Sequence, residues 1–374
     1  MVDPRVTPVA PGPLAGEDTV EFGWDDPERR LRGVRLEQEL GIPGDRLDFA
    51  YEEAAGRWVL RLPRPPVRRM EYRLQLRHAD GGLETVNDPA AHAVAPGAFG
   101  AKSVLEMPGY AEPAWVAAGE RWPAGAELAV PTAAGAVDVT VLSPPVATQR
   151  LLIAHDGPEY DRLAGLGAFA ATAVGRGAVP PFHLALAAPG PRDDRYSANP
   201  EYGAALAGTV IPALHAELGT GGPVVLMGAS LGGLAALQAQ RRHPDGIGGL
   251  FLQSGSFFVP QYDECESGFR HYRRIVRYIA TVHAAARAAS PVPAVPPVPA
   301  APPLPAVPAV LTCGATEENA PNNRLMAASL RRQGYRARLR EVPDMHNFTA
   351  WRDAFDPYLA ELLAEVWGQE RPGA

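Results

Sequence analysis

A serine in a glycine-rich turn is the clearest candidate for chemistry in this chain. Pro223-Val224-Val225-Leu226-Met227 is typical of a buried strand, Gly228-Ala229-Ser230-Leu231-Gly232 follows at once, and the residues from Leu234 to Gln240 continue as a helix. G-x-S-x-G between a strand and a helix sets a serine hydroxyl on a sharp turn above the sheet, where flanking glycines relieve crowding. We therefore predict Ser230 as a nucleophile and the amide of Leu231 as an oxyanion donor.

A serine nucleophile needs a base and a carboxylate that orients it. The chain has nine histidines, and His346 follows the last predicted strand and precedes a carboxy-terminal helix, so we predict it as the base. Glu317 and Glu318 follow the preceding strand. Glu317 is the preferred acid, Glu318 stays open, and Asp344 is a third choice because only one residue separates it from His346.

The second oxyanion donor is expected in the loop after the third strand of the hydrolase sheet. That loop is His155-Asp156-Gly157-Pro158-Glu159-Tyr160. Pro158 has no amide hydrogen, so the donor is the amide of Gly157, Glu159 or Tyr160, or the side chain of Tyr160. We predict Gly157 for this role and Tyr160 as a substrate-binding group.

The elements around these residues change in character along the chain. After a leader at 1–18, residues 19–110 hold short runs that largely alternate apolar and polar residues, which predicts an antiparallel β-sandwich. Residues 111–374 alternate strands with helices, the pattern of a mostly parallel sheet covered by helices. Within them, 290–308 carries nine prolines and predicts an extended polyproline insertion. A ligand for a partner domain is the alternative.

Composition limits the classes of partner. The chain has 374 residues, is 46% hydrophobic, and carries a formal net charge of -7, which gives no global attraction to nucleic acid or to an anionic membrane. A small-molecule ester is the expected partner. Two cysteines give neither a disulfide framework nor a metal cluster, and we expect no cofactor. Because no apolar run approaches the length of a membrane span, we expect a soluble, cytoplasmic protein. Oligomeric state stays open.

Several motifs together resemble the enterochelin esterase (Fes-like) branch of a serine esterase family in the α/β-hydrolase superfamily, itself similar to feruloyl esterases and mycolyltransferases. The motifs are Asp156-Gly157, Gly228 to Gly233, Cys313-Gly314 before Glu317, Asn323-Arg324, and His346-Asn347 before Trp351-Arg352. The resemblance implies an α/β-hydrolase fold after an immunoglobulin-like (early-set) domain. It also implies hydrolysis of ester or lactone bonds, in that branch those of a ferric catecholate trilactone siderophore.

An arginine-rich segment bears on the substrate. Between Phe269 and Tyr278 the apolar residues recur at helical spacing and leave four arginines to be placed elsewhere. One hypothesis is that Arg273 and Arg274 face the pocket and neutralise an anionic ester; the alternative is a solvated arginine-rich face. Two other functions compete with a siderophore esterase. One is a feruloyl or acetyl carbohydrate esterase or acyltransferase, and the other is a non-enzymatic binding protein on a hydrolase fold, suggested by Pro158.

Overall fold

The computed structural model describes residues 12–288 and 307–368. The chain divides into two compact units. The first comprises Met1–Ala111 and the short segment Pro343–Asn347, and the second comprises Glu112–Val342 and Phe348–Ala374. The return of 343–347 to the first unit was not predicted from the sequence, and this segment carries His346.

Antiparallel strands make up the sheets of the first unit. One sheet has the order β1-β2-β5-β4 and the other has the order β3-β6-β9-β8, with β7 paired to β6. The strands are β1 (Leu14–Ala15), β2 (Thr19–Asp25), β3 (Leu31–Glu37), β4 (Ala50–Glu52), β5 (Arg57–Pro63), β6 (Arg69–His78), β7 (Leu83–Val86), β8 (Ala93–Ala95) and β9 (Lys102–Glu106). The predicted leader ends differently, because Leu14 and Ala15 pair with β2; residues 1–11 lie outside the described part.

The two sheets of the first unit share one hydrophobic core. Phe22 of β2 packs edge-on against Tyr72 of β6, with ring centroids 4.9 Å apart. Alternate residues of β2, β5 and β6 point into this core, as the alternating sequence pattern predicts. The antiparallel sheets agree with the predicted sandwich, and its immunoglobulin-like topology stays a prediction.

The second unit is built on an eight-stranded sheet with the order β10-β11-β13-β12-β14-β15-β16-β17. Its strands are β10 (Ala124–Val130), β11 (Val137–Leu142), β12 (Leu151–His155), β13 (His183–Ala187), β14 (Val224–Ala229), β15 (Ile247–Gln253), β16 (Pro308–Gly314) and β17 (Arg336–Val342). All pairs from β13 to β17 are parallel, and β10 and β11 are added antiparallel. The predicted mostly parallel α/β sheet is thereby confirmed.

Helices cover both faces of this sheet. They are α1 (Gly157–Ala164), α2 (Leu166–Gly175), α3 (Arg192–Tyr196), α4 (Pro200–Ala205), α5 (Ile211–Leu218), α6 (Leu231–Arg242), α7 (Tyr272–Ala288), α8 (Ala320–Arg332), α9 (Phe348–Asp353) and α10 (Ala360–Trp367). Leu151 and Ile153 of β12 belong to the core beneath α6 to α8, whereas Leu152 and Ala154 belong to the core beneath α1, α2, α9 and α10. Burial on both faces explains the continuous apolar runs of these strands.

The carboxy-terminal helix and the proline-rich segment were both predicted in the second unit. The helix expected from Trp351 to Trp367 begins earlier and is divided by a π-helical turn at Phe355–Leu359. The proline-rich segment 290–308 lies outside the described residues except for its last position, Pro308, which opens β16.

Candidate active site

Ser230 occupies a strained turn between β14 and α6. Its backbone has φ 54° and ψ −120°, a region that non-glycine residues rarely adopt. The Ser230 N–H donates to the carbonyl of Gln253 at 2.9 Å, and its carbonyl accepts from the N–H of Ser256 at 3.1 Å. Backbone hydrogen bonds to the segment after β15 therefore hold this serine in its unusual conformation.

The first glycine of the motif is required by a close backbone contact, and the second has a looser contact with side chains. A Cβ atom on Gly228 would lie 2.5 Å from the carbonyl carbon of Gly232, and one on Gly232 would lie 3.2 Å from the Asp156 carboxylate. Since the first distance is far inside van der Waals contact, the turn closes as it does only without a side chain at Gly228.

The hydroxyl of Ser230 meets a second serine that the sequence analysis did not single out. Its Oγ lies 3.0 Å from the Oγ of Ser256, which is only 2% exposed. Leu231 opens α6, and the first amides of a helix have no acceptor within the helix itself. The amino end of α6 also favours negative charge. This end of the helix can stabilise an oxyanion formed at Ser230.

The Asp156-Gly157 turn follows β12 and leads into α1. Asp156 has φ 53°. A Cβ atom on Gly157 would lie 2.3 Å from the Cα atom of Leu186, so the backbone at Gly157 passes β13 too closely to allow a side chain. Pro158 lies in the first turn of α1, where a missing N–H costs nothing. The N–H of Tyr160 donates to the Asp156 carbonyl, which leaves this amide less suited to be an oxyanion donor.

Arg192 ties this turn to strand β14. Its guanidinium donates two hydrogen bonds of 2.8 Å to the Asp156 carboxylate and approaches the carbonyl of Ala229, the residue before Ser230, at 3.5 Å. A bidentate pair of this kind fixes orientation as well as charge. The sequence shows Arg192 only as an arginine after a strand, and its partner 36 positions earlier gives no local signal.

Tyr160 corrects one of the sequence predictions. The residue is fully buried, its ring packs against Phe348 and Trp351, and its hydroxyl donates to Gln253 Oε1 at 2.8 Å. Burial raises the pKa of the phenol well above its ordinary value. Tyr160 is therefore a core residue that supports the segment after β15, and its side chain is not available to a substrate.

The two candidate acids have different surroundings. Glu317 Oε1 accepts hydrogen bonds from the Ser254 hydroxyl at 2.8 Å and from the Gly314 N–H at 2.6 Å. Glu318 is exposed, and its carboxylate accepts from the Cys265 thiol at 3.5 Å. Only the Glu317 carboxylate is held against the carboxyl ends of β15 and β16.

The segment Gln253–Ser256, at the end of β15 and just after it, links Glu317 to Ser230, and it was missed in the sequence. Gln253 donates to Thr312 and to the carbonyl of Trp351, and Ser254 accepts from the Trp351 indole N–H at 3.1 Å. Asn323 exchanges two hydrogen bonds with the backbone of Gly255. A short polar run directly after a buried strand was the signal that could have found it.

The histidines differ in their surroundings. His155 is fully buried against Tyr196 and Tyr202, and burial lowers its pKa. The rings of four further histidines contact polar side chains, namely Ser143 with His183, Thr220 with His215, Asp194 with His271, and Ser329 with His283. His346 is partly exposed between β17 and α9.

Arg274 and Arg273 differ in their contacts. The guanidinium of Arg274 donates to the carbonyls of Ser197 and Asp194, and burial lowers its pKa. This side chain joins α7 to the end of α3, so it is committed to the fold. Arg273 is exposed on α7, as a solvated face would require. The hypothesis that Arg273 and Arg274 neutralise an anionic ester stays a prediction.

Neither a metal site nor a membrane-spanning helix occurs in the part of the chain that the structure describes. Among residues 12–288 and 307–368, no three histidine, cysteine, aspartate or glutamate side chains are grouped so that they could hold a metal ion. In the same described part of the chain, no helix is both long enough and apolar enough to span a membrane.

The fold is shared with solved esterase structures. The enterobactin esterase of Shigella flexneri in the presence of enterobactin matches with a TM-score of 0.71 at 17% identity over 96% of both chains. The ferric enterobactin esterase of Salmonella typhimurium matches with a TM-score of 0.71 at 19% identity over 95% of this chain and 96% of its own. A ferulic acid esterase matches with a TM-score of 0.51 at 14% identity over 65% of this chain and 99% of its own.

No protein-family model matches this chain, and no curated protein is similar to it in sequence. At identities below 20% the structural similarity establishes the fold, and function has to be argued from the residues of the site. The mostly parallel α/β sheet expected from the enterochelin esterase resemblance is confirmed, and the immunoglobulin-like domain stays a prediction.

Proposed function

We propose that this protein is a serine hydrolase of the α/β-hydrolase class that cleaves carboxylic ester or lactone bonds, with Ser230 as nucleophile, His346 as base and Glu317 as orienting acid. The observation that carries the proposal is the turn at Ser230, where a non-glycine residue has φ 54° and ψ −120° between a buried strand and a helix. Strain of this kind concentrates at active sites, where it presents a reactive group.

The reaction follows from these roles. Ser230 Oγ attacks the carbonyl carbon while His346 takes its proton, and the resulting oxyanion accepts hydrogen bonds from the amides of Leu231 and Gly157. The intermediate expels the alcohol, which receives the proton from His346. Water then attacks the acyl-enzyme by the same route and regenerates Ser230. No cofactor is required by this sequence of steps.

The surroundings of Glu317 support its role as the acid. A carboxylate that orients an imidazolium must itself be fixed, and Glu317 accepts from both Ser254 and the Gly314 backbone. Ser254 lies only two positions before Ser256, and the hydroxyl of Ser256 contacts Ser230. The acid and the nucleophile are thus connected through one short segment, whereas Glu318 lies in solvent.

For the substrate, we propose a cyclic or linear catecholate ester, with a ferric catecholate trilactone as the first compound to test. The solved enterobactin esterases match 95–96% of this chain, whereas the ferulic acid esterase matches 65% and so leaves a third of it without a counterpart. A feruloyl ester is the second compound to test. A cytoplasmic location stays a prediction, which cell fractionation tests.

The experiment compares purified wild-type protein with Ser230→Ala on enterobactin, its ferric complex, a feruloyl sugar ester and p-nitrophenyl acetate, with products separated by chromatography. The wild type should hydrolyse the trilactone with the highest kcat/KM, and Ser230→Ala should lose about 10⁴-fold or more of this activity. Ser267→Ala, an exposed serine, is the matched control and should keep it.

The outcomes separate the parts of the proposal. Equal turnover by wild type and Ser230→Ala would show that Ser230 is not the nucleophile and would contradict the proposed function. Ser230-dependent turnover of the feruloyl ester without turnover of the trilactone would change the substrate class and leave the mechanism in place.

A further inference from the structure

The segment Pro343–Asn347, which carries His346, is anchored by residues of the first unit, to which it belongs. The N–H of Arg68 donates to the Pro343 carbonyl at 2.6 Å, and the Arg68 carbonyl accepts from the N–H of Met107. The Met345 side chain is 3% exposed and belongs to the hydrophobic core shared by the two antiparallel sheets. One backbone contact and one buried side chain therefore fix the segment immediately before His346.

Arg69 adds contacts on both sides of His346. It is the first residue of β6, and its side chain is 3% exposed. Its Nε lies 3.4 Å from Asp344 Oδ2, and its Nη2 donates to Asn347 Oδ1 at 3.3 Å. Asp344 stands two positions before His346 and Asn347 stands directly after it. A single buried guanidinium thus contacts both flanks of the proposed base.

The surroundings of Arg69 keep its guanidinium in this position. Its guanidinium carbon lies 5.5 Å from the centre of the Tyr110 ring, within the range of a cation–π contact. Glu71, two residues along β6 and on the same face, approaches Arg69 Nη2 at 3.7 Å. Asp344 also accepts from the N–H of Met345. Removal of Arg69 would leave two buried carboxyl groups without their shared cation.

We propose that Arg69 is a positioning residue for catalysis: through Asp344 and Asn347 it fixes the segment that carries His346. The inference rests on the proposed function, in which His346 is the base. A general base must lie within hydrogen-bond reach of the proton that it takes, and a displacement of about 1 Å caused by a distant change lowers rates by about 10²-fold. Contacts within the first unit then hold the proposed base.

The test uses the full chain with Arg69→Met, Arg69→Lys and Arg73→Met, and p-nitrophenyl acetate as the probe substrate. Arg69→Met should lower kcat by about 10- to 100-fold with little change in KM. Arg69→Lys keeps the charge but loses the fork that contacts two residues, so its kcat should fall between those of Arg69→Met and wild type. Arg73, which pairs with Glu37 on the same strand, is the control, and Arg73→Met should retain kcat.

A double-mutant cycle separates positioning from a merely structural role. If Arg69 acts through His346, Arg69→Met should have almost no further effect on the residual kcat of His346→Ala. An equal loss in both backgrounds would overturn the proposal. Should Arg69→Met fail to fold by circular dichroism, the same cycle with Arg69→Lys gives the decision.

The failure of the inference differs from the failure of the proposed function. Wild-type kcat in His346→Ala would show that His346 is not the base and would contradict the proposed function. A strongly impaired His346→Ala together with wild-type kcat in both Arg69 variants would leave the proposed function standing and overturn the role of Arg69.

Discussion

The turn at Ser230 and the segment that carries His346 are held in different ways. Ser230 is fixed by its own backbone, which hydrogen-bonds to Gln253 and Ser256, and by a glycine that permits a 2.5 Å approach. The segment 343–347 depends on side chains of the first unit, among them Arg69, which contacts Asn347 across 278 positions of sequence. The proposed nucleophile is thus positioned by local sequence and the proposed base by residues distant in sequence.

This difference predicts two kinds of mutational response. Changes to the backbone turns around Ser230 displace the proposed reacting groups and should cause large losses of rate. Changes in the first unit alter side-chain contacts to 343–347, and should give graded effects and a dependence on pH, since buried ionisable groups are involved.

The largest effect is expected for Glu317, the proposed orienting acid. Glu317→Gln should lower kcat by about 10³- to 10⁴-fold, because an amide neither stabilises an imidazolium nor enforces the required tautomer. The neighbouring Glu318→Gln is a matched control, since that side chain is exposed, and it should retain kcat within about twofold. Steady-state kinetics with p-nitrophenyl acetate measures both. A larger loss in Glu318→Gln would transfer the acid role to that residue.

A backbone change tests the large loss of rate that we expect when a turn near Ser230 is displaced. In Gly157→Ala the new Cβ atom would lie 2.3 Å from the Cα atom of Leu186, so the turn at 156–157 must move and carry the proposed oxyanion donor with it. We expect kcat to fall by about 10²-fold. Gly208→Ala introduces the same methyl group into open space and should leave kcat unchanged. Similar kinetics for the two variants would argue against a role for the Gly157 amide.

Glu71 tests the ionic character of the first-unit contacts. Burial raises its pKa to about 7, although Arg69 and Lys102 lower it; the charges of Asp344 and Glu39 also raise it. Because the folded pKa exceeds the ordinary value, the stabilisation is fully present below about pH 4.5 and is lost as the pH rises through 7. Relative to Glu71→Gln, the wild type should lose about 3 kcal/mol of unfolding free energy over that range.

Urea unfolding followed by tryptophan fluorescence between pH 4.5 and 8.5 measures this effect. The control is Glu106→Gln, an exposed position on the neighbouring strand β9, whose replacement should change the unfolding free energy by no more than about 0.5 kcal/mol. A constant difference between wild type and Glu71→Gln would show that Glu71 does not titrate as its burial requires.

The smallest effect is expected for the Ser256 hydroxyl. Ser256→Ala removes a partner 3.0 Å from the nucleophile and leaves the backbone contacts in place. One hydrogen bond of about 1 kcal/mol corresponds to roughly a fivefold fall in kcat, with Ser267→Ala as the exposed control. A loss comparable to that of Glu317→Gln would indicate that the Ser256 hydroxyl takes part directly in the reaction.

The residues that sequence reasoning found and missed follow the same division. Ser230, its glycines and helix α6 were predictable because strand, turn and helix are adjacent in the chain. Glu317 was predictable as one of two adjacent acids, but the choice depends on Ser254, 63 positions away. Arg69, Arg192 and Ser256 had no signal of their own, because each acts through a partner that only the fold brings near.

Two sequence predictions changed for physical reasons. Tyr160 seemed suited to contact a substrate, yet α1 turns its side chain into the core, where its hydroxyl meets Gln253. Pro158 seemed to weaken the oxyanion turn, yet it lies in the first turn of α1, where its lack of an N–H is harmless. Both outcomes depend on a short helix that the sequence pattern did not predict.

The proposal that Ser230 is an activated nucleophile is tested most directly by labelling with a fluorophosphonate probe and locating the adduct by peptide mass spectrometry. We expect one adduct per chain in the wild type, on the peptide that contains Ser230, and none in Ser230→Ala. Labelling of His346→Ala should be much slower at equal probe concentration. Labelling of wild type and Ser230→Ala at the same rate would show that Ser230 is not the activated nucleophile.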